Sequence, residues 1–118
     1  MEQRSQVRKK ADLGAVVSCS QFGLFRGRIE DLSLQGMYVR TTNVVIGLNA
    51  PVTVTFQPEP SNPLHSCQAD GVVVYQDQDG VGIRFTDLKD DCQQTLLALL
   101  EDLPVVRDGL LEPERLAV

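Results

Sequence analysis

The sequence predicts a mainly β fold, a small closed six-stranded antiparallel barrel followed by one C-terminal α-helix. Three observations carry that expectation. Six short segments alternate in polarity or are rich in β-branched residues, polar Gly- and Pro-bearing turns separate them, and the apolar period becomes helical only after Phe85. With 118 residues, 42% of them hydrophobic and 23% charged, the chain suits one soluble domain that buries its own core without disulfides or metal.

The elements follow in order. Leu13, Ala15, Val17 and Cys19 alternate on one face as a first strand, and residues 21–27 turn, with Gly23 and Gly27 as punctuation. A second strand runs over residues 28–32. Residues 33–36 turn again, and residues 37–41 form a third strand in which Met37 and Val39 alternate against Tyr38 and Arg40. After the break at residues 47–51, Val52, Val54 and Phe56 share a face of the fourth strand. The proline-rich residues 58–63 form a loop. Residues 67–75 are a fifth strand, joined by a tight polar turn at 76–80 to its hairpin partner at 81–85.

Beyond Phe85, Leu88, Cys92, Leu96, Leu99 and Leu103 recur at helical spacing, with Leu97 and Leu100 widening the stripe. Thr86 or Asp87 is expected as the N-cap, Asp90 and Asp91 suit the first turn, and Pro104 ends the helix. Such a stripe packs against its own domain, with room for part of it to face a partner or second copy. The domain boundaries expected are a basic arm at 1–10, barrel plus helix at 11–103, and a tail at 104–118. That tail is either a short docked helix or partly disordered.

Charge is unevenly placed. The net charge is −5, yet residues 1–10 set Arg4, Arg8, Lys9 and Lys10 against Glu2, a local +3 that leaves −8 for the remainder. A basic arm on an acidic body suits a small anionic ligand better than a long polyanion, because the body repels a polymer's flanking phosphates. DNA and RNA are therefore not the expected partners, and with 5% aromatic residues and no tryptophan the chain lacks stacking platforms for single strands.

Cys19, Cys67 and Cys92 match no metal-ligand spacing and are expected as small buried apolar residues in a reducing compartment. His65, the only histidine, lies in a polar loop with no nucleophile to serve. No acid/base pair stands out, so an enzyme is not expected, nor is a metal or cofactor. No apolar run reaches membrane-spanning length and the N-terminus lacks an apolar signal core, so a cytoplasmic protein without membrane insertion is expected.

The candidate site is Asp31-Leu32-Ser33-Leu34-Gln35-Gly36 together with Arg4 and Arg8 upstream. Guanine presents acceptors at N7 and O6 and donors at N1 and N2, so full recognition needs both a guanidinium and a carboxylate. A phosphodiester adds anionic oxygens that a guanidinium fork grips well. Asp31 supplies the carboxylate. Gly36 permits either close backbone approach or positive φ, and Ser33 bonds either a base edge or its own turn.

These residues resemble a known family. Arg4-x-x-x-Arg8, the Ala11-Asp12-Leu13-Gly14-Ala15-Val16 lead into the first strand, Asp31-x-Ser33-x-x-Gly36 and the Gly80-Val81-Gly82-Ile83-Arg84-Phe85 hairpin together look like a PilZ domain over residues 3–103. The resemblance implies a split-barrel-like β-barrel with a C-terminal helix that binds cyclic di-GMP and passes the signal to a protein effector, as a monomer or weak homodimer. It implies that Arg4 and Arg8 contact phosphates and a guanine Hoogsteen edge. It further implies that Asp31, Ser33 and Gly36 contact guanine from the barrel surface. Gln3 and Lys9 are secondary candidates. Gln3 stands where many members carry a further arginine associated with an intercalated ligand dimer, and glutamine supplies neither that charge nor that stacking, so the ligand count stays open. A PilZ-like scaffold acting only through protein contacts is the rival reading.

Overall fold

The computed structural model describes residues 8–20, 22–59, 62 and 64–105. Six strands, β1 (Lys9–Cys19), β2 (Gly23–Leu32), β3 (Gly36–Arg40), β4 (Pro51–Phe56), β5 (Cys67–Asp77) and β6 (Gly80–Leu88), precede one helix, α1 (Asp90–Asp102). They close into an antiparallel barrel of order β1-β2-β3-β6-β5-β4, the architecture expected from the sequence.

Alternation explains the interior. Leu13, Ala15, Val17 and Cys19 of β1 face inward with Met37 and Val39 of β3, Val52, Val54 and Phe56 of β4 and Ile83 of β6. Their near-complete burial supplies the main stabilising term, roughly 1.5–3 kcal/mol for each large side chain. Helix α1 packs the core with Cys92, Leu96 and Leu100, while Leu97, to one side of that stripe, stays exposed.

Three differences from the sequence expectation have physical causes. β2 starts at Gly23 because Phe25 pairs with Val17 and packs against the core, which outweighs the turn character of the flanking glycines. β6 runs on to Leu88 because a register shift opposite Asp70 and Gly71 carries the β5–β6 ladder three residues past Phe85. Thr86 and Asp87 therefore lie in a strand, and the N-cap is Lys89, which gives no side-chain cap. The first helical turn is instead tied by Gln93 N–H to the Lys89 carbonyl at 2.8 Å.

The helix end is fastened from outside. No basic residue occupies its last turn, but the Lys9 ammonium donates to the Leu103 carbonyl at 3.1 Å, placing a positive charge at the negative end of the helix dipole. Beyond it, Lys10 N–H donates to the Pro104 carbonyl at 2.7 Å and Val105 bridges to Lys9. The segment after α1 thus lies along the start of β1.

All three cysteines are free and buried, as their composition suggested. Burial, reinforced by the neighbouring Cys92 thiol, pushes Cys67 up to about 12 from an ordinary 9.0. The folded form holds this proton more tightly than the unfolded chain, so the associated stability is complete below pH 9 and is lost as pH rises toward 12. Urea melts across that interval are expected to show a falling midpoint, less steep in Cys67→Ala. An identical slope in the variant would remove Cys67 as the cause.

Candidate functional site

The Ser33–Gly36 turn is built by its own side chain. Ser33 N–H donates to the Gly36 carbonyl at 2.9 Å, and Ser33 Oγ accepts from Gln35 N–H at 3.1 Å and Gly36 N–H at 3.2 Å. Of the two roles open to this serine, the structure displays the turn-holding one, with the residue only 2% exposed. Gly36 pairs with Arg84 of β6, and a β-carbon there would collide with the Ile83 carbonyl oxygen. Its φ is not positive, so close approach is the reason for glycine. Phe85 N–H donates to the Gln35 carbonyl at 2.8 Å and fastens the turn onto β6.

Asp31 reaches the outside of the barrel by a bulge. Ile29 and Leu32 are both fully buried, a spacing of three that strict alternation forbids, and the β2–β3 register shifts between Ile29 and Asp31. The shift puts Asp31 beside Tyr38, whose neighbours Met37 and Val39 face the core. On the other side Asp31 pairs with Lys10 of β1. Asp31 as a residue is 8% exposed, so it is largely withdrawn from water, where hydrogen bonds are electrostatically stronger.

Tyr38 forms the floor of this outer face. It is fully buried, stands opposite Gly82 in register, and its hydroxyl donates to Asp77 Oδ1 at 2.7 Å. Asp77 Oδ1 also accepts from Asp79 and Gly80 N–H at 2.9 Å each, which ties the floor to the β5–β6 turn. Glycine at position 80 is required because a β-carbon would strike the Val39 carbonyl.

Arg8 directly precedes β1. Lys9 pairs with Leu32 and Lys10 with Asp31, so the antiparallel ladder carries the Arg8 end of β1 alongside the Leu32–Ser33 exit of β2. The Arg8 side chain is half-buried and has no ion-pair partner among the described residues. Lys9, by contrast, is engaged at the helix end. Arg4 and Gln3 lie outside the described residues. The structure therefore brings Arg8, Asp31, Ser33 and Gly36 to one edge of the barrel surface, with Lys10 and Tyr38 among them.

Tyr38 and Arg84 stand on the same outer face but outside the sequence motif. A signal existed, because Gly80, Gly82 and Arg84 alternate with Val81 and Ile83 of the core and so share the outer face with Gly36. A surface concavity of about 730 Å³ lies elsewhere, over β1, β2 and β4 around Gly14. Its Arg28 is already held by Asp12 at 2.6 Å, so size alone does not mark the site. Among the described residues no cluster of His, Cys, Asp or Glu could hold a metal, and no helix is long and apolar enough to cross a membrane.

A closed six-stranded barrel with a buttressed Asp-x-Ser-x-x-Gly turn on its outer face, next to the end of a basic arm, defines a small barrel domain with a charged surface site. The chain belongs to the PilZ family, whose domain model matches residues 2–102. Solved structures agree on the fold. The Bacillus subtilis inhibitor of motility MotI/DgrA superposes with a TM-score of 0.71 at 15% identity, over 95% of this chain and 53% of that one. The PilZ domain of YcgR from Escherichia coli, solved with c-di-GMP, gives 0.68 at 14% identity, over 86% of this chain and 92% of that one. MrkH of K. pneumonia gives 0.66 at 18% identity, over 98% of this chain and 52% of that one. The chain thus spans about half the length of MotI and of MrkH. No protein of curated function matches it in sequence.

Proposed function

We propose that this chain is a cyclic di-GMP receptor that acts as an adaptor, its N-terminal arm folding over the barrel when ligand binds and thereby signalling to a protein effector. The observation that carries the reading is the juxtaposition of Arg8, which has no ion-pair partner among the described residues, with the Asp31–Gly36 turn across the β1–β2 ladder. Arg8, with Arg4, supplies guanidinium forks to the phosphodiester and the guanine acceptor edge. Asp31 accepts from the donor edge. Gly36 lets β3 lie close against β6 beneath the turn, and Ser33 holds the turn in shape.

The arm is the switch. Ordering its backbone costs on the order of 1–2 kcal/mol per residue, which several charge-assisted hydrogen bonds to the ligand offset. Motility, pilus, chemotaxis or biofilm machinery are the outputs this class of adaptor fits. Isothermal titration with cyclic di-GMP is expected to give saturable binding, and the same titration followed by amide exchange is expected to slow exchange at residues 2–8, ahead of the β1 ladder. No heat and no spectral change at millimolar ligand would leave the protein-contact scaffold as the better reading. Binding without any change in exchange would sink the switch alone.

A further inference from the structure

On the far side of the Ser33–Gly36 turn from Arg8 lies a cavity of about 360 Å³, within the size range of small-molecule sites. Leu34 and Leu88 give it apolar walls, and Gln35, Arg84, Asp87 and Gln93 give it polar ones. The turn that forms one wall is fixed to β6 by the hydrogen bond from Phe85 N–H to the Gln35 carbonyl.

Arg84 and Asp87 are the charged residues that line this cavity. Both are exposed, and among the described residues neither side chain has an ion-pair or hydrogen-bond partner. Two other arginines on this surface do pair with a carboxylate, Arg28 with Asp12 and Arg40 with Glu30. Asp70, which stands opposite Asp87 in register, is occupied by the Thr53 hydroxyl at 2.9 Å. A guanidinium and a carboxylate that line one cavity without pairing present a donor fork and an acceptor to whatever enters between them. Guanine is complementary to that pattern, since O6 and N7 accept on one edge while N1 and N2 donate on another. Adenine has no O6 acceptor and no N1 or N2 donor to offer.

We propose that this cavity is a second guanine subsite, in which Arg84 donates to O6 and N7 and Asp87 accepts from N1 and N2. The inference rests on the receptor reading and extends it. Cyclic di-GMP carries two guanines, and Arg84 stands directly across from Gly36, so one base addressed by Arg8 and Asp31 leaves the other to cross the turn toward β6. The leucine walls bury its faces.

Calorimetry on the full chain tests this with two ligands, cyclic di-GMP and the mixed cyclic GMP–AMP dinucleotide, against wild type, Arg84→Ala and Asp87→Asn. Wild type is expected to prefer cyclic di-GMP by roughly 5- to 150-fold, the worth of one well-made base contact. In each variant cyclic di-GMP should weaken by about that factor while the mixed dinucleotide changes less than about twofold, so the preference collapses. Variants that keep the wild-type preference, or that weaken both ligands equally, would overturn the subsite and leave the receptor reading standing. Wild type that binds neither ligand would overturn the receptor reading itself, and the subsite with it. Arg84 and Asp87 are exposed on β6, and urea melts matching wild type will confirm that the variants fold.

Discussion

Gly36→Ala is expected to destabilise the barrel by about 2–4 kcal/mol, the sum of an overpacking cost and the hydrogen bonds that a shifted backbone gives up. The added carbon meets the Ile83 carbonyl, which is rigid ladder backbone and has no rotamer to yield. Relief requires β3 to move away from β6, and that motion strains the Gly36–Arg84 pairing together with the bonds from Ser33 to the Gly36 N–H and carbonyl. Chemical denaturation is the direct measurement. A loss below about 0.5 kcal/mol, the level of an ordinary surface substitution, would show that the strands separate at little cost. Because the same glycine lies at the site, ligand affinity in this variant falls for a structural reason and is no test of recognition.

Arg8→Ala gives the cleaner functional test. The residue precedes the first strand and has no ion-pair partner among the described residues, so folding stability should stay within about 0.5 kcal/mol of wild type. Affinity for cyclic di-GMP is expected to drop by roughly 2–5 kcal/mol, about 30-fold to several-thousand-fold, as for truncation of one partner of a buried charged pair. Arg8→Lys should recover only part of this, because an ammonium keeps the charge and loses the planar fork. Unchanged calorimetric affinity in Arg8→Ala would remove the residue from the site.

Much of the fold was legible because period two and turn chemistry agree along the chain. Val52, Val54 and Phe56 illustrate it, and the polar turn before Gly80 closes the β5–β6 hairpin as its residues suggest. What escaped was set by tertiary pairing. Residues 23–27 carry glycines that look like a turn, yet Phe25 finds the core and the strand extends. Thr86 and Asp87 look like helix caps, yet both lie in β6, with Asp87 paired to Asp70 of β5.

The site divides in the same way. Its motif residues were readable as types, but the outward turn of Asp31 depends on a bulge whose only trace in the sequence is the odd spacing of Ile29 and Leu32. The role of Ser33 within its turn, and the placing of the Arg8 end of β1 alongside that turn, follow from hydrogen bonding and register, which no single segment encodes.

The fastening of Pro104 and Val105 along Lys9 and Lys10 has a bearing on architecture at large. It makes the entrance and the exit of this unit neighbours, and Arg8 stands at that doorway. A module spliced before the first strand or after the helix therefore attaches at the same corner, within reach of the Ser33–Gly36 edge. Evolution can lengthen such a protein in either direction, and each addition inherits proximity to that edge without any change in the barrel.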